Sequence, residues 1–139
     1  MALAVNHKFL KAAMVAGLMM ILTSPATGAT GRLSDPEGWI DKLTGFVLVT
    51  KGIEKEGNFD PYLDQLTVVR SVFRTEWKRG ELYATYAGMN HFMDMLEARE
   101  GGIRVAAAEA IWNWCYQFTP IALHDVERHR AGFTPRQSS

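Results

Sequence analysis

The chain has one cysteine, Cys115, so no disulfide can form within it, and its stability must come from packing. It has no surplus of either charge, with 15 Lys and Arg against 15 Asp and Glu. Such a balance offers no broad electrostatic pull on nucleic acid or an anionic membrane, which excludes nucleic-acid binding as a function class. Alternating strand patterns are scarce, and there are no internal repeats, charge blocks or low-complexity tracts. Motifs for common chemistries are missing too: no nucleophile stands beside a base, no paired carboxylates occur, and there is no phosphate-binding loop. Gly101-Gly102 reads as a helix break, and Glu109 as a solvated side chain. No catalytic residue is assigned, and no cofactor is expected from the motifs.

The single long apolar run, AAMVAGLMMILT, falls short of the roughly 20 residues that span a hydrocarbon core. It follows Lys8 and Lys11 and precedes SPATGAT, with its helix breaker and small side chains. That order is expected of a secretory signal peptide over residues 1–29, cut after Ala26 or Ala29. The expected location is the periplasm or the outside of the cell, with membrane contact only in transit. Loss of the two leader lysines leaves 13 basic against 15 acidic residues, a formal net of −2 from 13 − 15.

After a short linker, 30–34, the pattern predicts an all-α domain over 35–131 and a flexible tail over 132–139. Ser34-Asp35-Pro36-Glu37 has the spacing of a capping box. Trp39, Leu43, Phe46, Thr50 and Ile53 then recur at helical intervals, although FVLV also suits a strand. Asp60-Pro61 opens a second helix with Tyr62, Leu66, Val69, Phe73 and Trp77 on one seam, closed at Gly80. A third runs from about Glu81 to Arg99. A fourth runs from Ile103 to about Phe118, with Ile103, Ala107, Ile111, Trp114 and Phe118 on its seam. Thr119-Pro120 predicts a kinked or split C-terminal helix. The expectation is a four-helix up-down-up-down bundle.

The segment MNHFMDMLE raises the question of a soft metal. On a helix, Leu82, Tyr86, Met89, Met93 and Leu96 share one stripe, whereas His91 and Met95 are turned roughly 200° away. Methionine as core filler is therefore the simpler reading. A second stripe of Ala84, Gly88, His91, Met95 and Ala98, together with Trp112 and Tyr116 off the main seam of the fourth helix, leaves a surplus apolar face. Two coverings suit it: a protein partner or second copy docking on Trp112, Tyr116, His91 and Met95, or the segment after Pro120 folding back.

The leading functional expectation is an interaction or accessory protein using that aromatic surface. The alternative is a copper or noncovalent haem carrier using His91, His124, His129 and Met95. In HDVERHR the two histidines are five apart, not the four that align a helical metal pair, so a solvated helix end is the plainer reading. In helix count and length the pattern resembles the cytochrome c′ family and the small four-helix b-type cytochromes. That resemblance would imply haem, but the covalent motif Cys-x-x-Cys-His is absent around WCYQF. Cys115, late in its helix and without a nearby cation, reads as a buried inert thiol.

Overall fold

The computed structural model describes residues 35–137, and the expected leader and linker lie outside them. Among the described residues the protein is all-helical: α1 Gly38–Ile53, α2 Asp60–Arg79, α3 Tyr83–Ala98, α4 Val105–Phe118 and α5 Val126–Ala131. Two 3₁₀ turns, Glu100–Gly102 and Ile121–Leu123, complete the order. Helix α1 packs on α2 and α4, and α3 packs on the same two. None of these helices is long and apolar enough to cross a membrane.

The strand-like run FVLV is helical because Leu43, Val47 and Thr50 carry the burial at helical spacing. Asp35 Oδ1 accepts from the Glu37 amide at 2.9 Å, while the Glu37 carboxylate is engaged with Arg74 of α2 at 2.6 Å. Ser34, whose amide the local motif assigned to this acid, lies outside the described residues.

Helix α2 closes at Gly80, whose φ of 70° is the left-handed conformation a helix stop favours. Tyr62, Leu66, Val69 and Phe73 are buried, while Trp77 at the end of the seam is half-exposed against Phe73. Helix α3 has no side-chain cap of its own at Leu82. Glu76 of α2 supplies one: its carboxylate accepts from the Ala84 and Thr85 amides at 2.7 and 2.8 Å and from the Thr85 hydroxyl at 2.6 Å. The Thr85 hydroxyl, then those amides, outweigh desolvation and hold the Glu76 carboxyl below its usual range.

The opposite end is joined backbone to backbone. The Asn58 amide donates to the Gly101 carbonyl at 2.8 Å, and Gly101 has φ 74° with Asn58 O 2.1 Å from where a Cβ would stand. Tyr62, buried between them, places its hydroxyl 2.8 Å from the Glu100 carbonyl and 3.1 Å from that of Met95.

Two outcomes follow from these joints. Gly101→Ala combines a left-handed backbone with a clash against fixed main chain and should cost about 3 kcal/mol in urea denaturation. Glu76 has a depressed folded-state pKa, so its contribution is complete above the unfolded value of 4.5 and is lost as pH falls through the folded value. The melting temperature of Glu76→Gln should therefore depend less steeply on pH below 4.5 than that of the parent; equal slopes would refute this role.

Candidate functional site

The aromatic face predicted for partner binding is inside the protein. Trp112 is 1% exposed and Tyr116 8%, because the chain after Pro120 splits into a 3₁₀ turn and α5 and lies over them. His129 of α5 stacks on Tyr116 with centroids 4.1 Å apart and planes 5° from parallel. Phe133 and His129 both meet Trp112 edge-on, at 6.0 and 6.2 Å. Met95 is buried as well, while His91 of the same helix is exposed. The four residues do not make one surface. Of the two coverings open in the sequence, the structure has the fold-back.

Arg128 clamps this cover to α3. Its Nε donates to Glu97 Oε1 at 2.9 Å and its Nη2 to Asp94 Oδ1 at 2.6 Å, with Nη1 3.3 Å from the Asn90 carbonyl. Burial opposes the charge on Arg128, but the hydrogen bonds and charges of Glu97 and Asp94 outweigh it and hold the guanidinium protonated beyond its ordinary range. Residues 132–137, expected as a frayed tail, are tied down by Phe133 and by the Arg136 amide, 2.7 Å from the Glu97 carbonyl. Asp125 accepts from the Arg128 amide at 2.9 Å and so caps α5.

Of the three histidines of the carrier expectation, His124 and His129 stand edge-on with ring centroids 6.3 Å apart, while His91 is exposed on α3. Among the described residues, no group of three or more His, Cys, Asp or Glu side chains could hold a metal ion. His129 is spent on stacking, and His124 meets Tyr116 edge-on at 5.1 Å. The methionine stripe is core, with Met89 and Met93 buried. Where α3 and α4 meet the turn at Ile121–Leu123 there is a small, partly open cavity of about 10 Å³, lined by Met89, Met93, Cys115 and His124 among others. Burial pushes the Cys115 thiol up to about 12, which leaves it protonated and non-nucleophilic.

Large apolar side chains are exposed elsewhere, Ile53 of α1 and Val68 of α2 among them. Tyr83 is 84% exposed and Ile121 80%. An open groove of about 460 Å³ is lined by Leu82, Tyr83, Tyr86 and Ala122 with Gly80 and Glu81 at its edge. Sequence periodicity missed it, because Tyr83 falls on the polar strip of α3 and Ile121 follows a helix break. No protein-family model, curated protein or solved structure matches the chain.

The clamp can be tested directly. Arg128→Ala leaves the nearly buried Glu97 carboxylate without its cation and should cost on the order of 3 kcal/mol. Amide exchange over Val126–Ala131 should accelerate more than over Asp60–Arg79. Unchanged protection of α5 would show that aromatic stacking alone holds the cover.

Proposed function

We propose that this is an exported helical interaction protein that docks a protein partner in the groove beside Tyr83. Export rests on the leader pattern of residues 1–29. The four longer helices are read as an up-down-up-down bundle, a reading supported by the closed ring of contacts α1 to α2 to α3 to α4 and back to α1.

The observation that carries the docking reading is the exposure of Tyr83 in an apolar groove that it lines with Leu82, Tyr86 and Ala122; Ile121, next to Ala122 in the chain, is exposed as well. Large apolar side chains left together in water mark interaction sites more often than chance exposure does. Lys78 and Arg79, exposed in the last turn of α2 next to the groove's Gly80 edge, take no part in the ion pairs of the described residues. A segment with an apolar side chain for the groove and carboxylates for these two cations is the complementary partner.

The test places a photo-crosslinking amino acid at position 83, with position 109 as control, in the full chain expressed in its own cells. A discrete adduct in the periplasmic fraction is expected from position 83 only. The same partner, purified, should bind Tyr83→Ser/Ile121→Ser at least about tenfold more weakly, as loss of an aromatic anchor does, with the melting temperature unchanged. Adducts from both positions, or none from position 83, would overturn the reading; an adduct of two copies of this chain would replace the partner by a homodimer.

A further inference from the structure

A small, partly open cavity brings together side chains that the docking reading does not use. Met89 and Met93 are one turn apart on α3 and both buried, so they face the same way. Cys115 reaches the cavity from α4 and His124 from the end of the turn at Ile121–Leu123. Two thioethers, a thiol and an imidazole around one small space are the donors a soft metal takes. A volume of about 10 Å³ is that of a single water-sized occupant.

His124 supplies an independent observation. Its Nε2 is hydrogen-bonded to the Thr119 carbonyl oxygen, which can only accept, so that nitrogen carries the proton. In the neutral ring Nδ1 then keeps its lone pair. Metal-ligating histidines are held in this manner, with the second nitrogen donating to a carbonyl that fixes ring and tautomer.

We propose that this cavity binds one Cu⁺ ion through Met89, Met93, Cys115 and His124. The two thioethers select against harder divalent ions. On binding, the Cys115 S–H bond breaks, its proton leaves to solvent and a Cu–S bond forms, with no change in oxidation state. The resulting Cu⁺–thiolate pair is neutral and adds no net charge to the core. Asp125 also lines the space, but its Oδ1 is committed to the Arg128 amide. His91, exposed on α3, takes no part.

The experiment is an anaerobic titration of the purified protein with Cu⁺ against a chromophoric Cu⁺ chelator. One ion per chain should be withheld from the chelator, with sulfur scatterers in the copper absorption spectrum. Met89→Leu/Met93→Leu should weaken retention by more than about 100-fold, beyond the 10–100-fold that even outer-shell losses cause, and His91→Ala should leave it unchanged. Met93→Leu alone, which conserves volume, keeps the test decisive if the double variant fails to fold; its expected loss is about tenfold or more. Failure of the parent to withhold any Cu⁺, as a cavity built only for a water molecule would give, overturns the proposal. So does retention that the methionine variants do not weaken.

Discussion

Helix α4 is apolar around most of its circumference, and the rest of the structure accommodates that fact. Ile111 and Ala107 turn toward the core on one side, while Trp112, Cys115 and Tyr116 are buried on another. A helix with this pattern cannot lie at the surface of a simple bundle without leaving a large wet apolar face. Its environment is completed by the chain's own last residues. The aromatic stacking of His129 on Tyr116 is close but non-directional in charge; the Arg128 pairs with Asp94 and Glu97 give the cover its register on α3. Burying a cation with two carboxylates contributes position more surely than net stability.

The same break that allows the cover also places Ala122 at the edge of the groove. Pro120 cannot continue α4, and the three residues after it form a turn closed by the Leu123 amide on the Pro120 carbonyl at 2.8 Å. That turn sends Leu123 into the core and leaves Ile121 outside. One short element thus buries one apolar surface and presents another. The free surface lies at the Tyr83 end of α3, away from the Trp112 face that the apolar excess pointed to.

Helix positions were legible in the sequence because their causes are local and periodic. Gly80 ends α2 through its own backbone, and Tyr62, Leu66, Val69 and Phe73 face inward at the expected interval. What was illegible depends on distant residues. Glu37 had the spacing of a capping acid, yet Arg74 holds it, and α3 is capped by Glu76 from the preceding helix. The choice between a partner and a fold-back over Trp112 was open because both bury the same side chains; only the tertiary position of Arg128 decides it. In MNHFMDMLE, Met89 and Met93 are buried as the helical stripe predicts, but Met95 is buried too and only His91 is exposed. The donors that face those methionines, Cys115 and His124, lie in later elements, and no spacing rule reaches that far.

The groove and the cavity draw on neighbouring residues of the same turn. Ala122 lines the groove, Leu123 and His124 line the cavity, and the three are consecutive in the chain. The His124 amide donates to the Ile121 carbonyl at 3.1 Å, so the backbone of His124 is tied to that of the exposed Ile121. A partner that contacts the turn without shifting it leaves the cavity as it is. A partner that binds one position of the turn better than another changes where His124 stands, and by reciprocity an occupant of the cavity changes the affinity of the groove by the same factor. The size of that coupling is limited by the differential affinity for the two positions of the turn, not by the total affinity of either ligand.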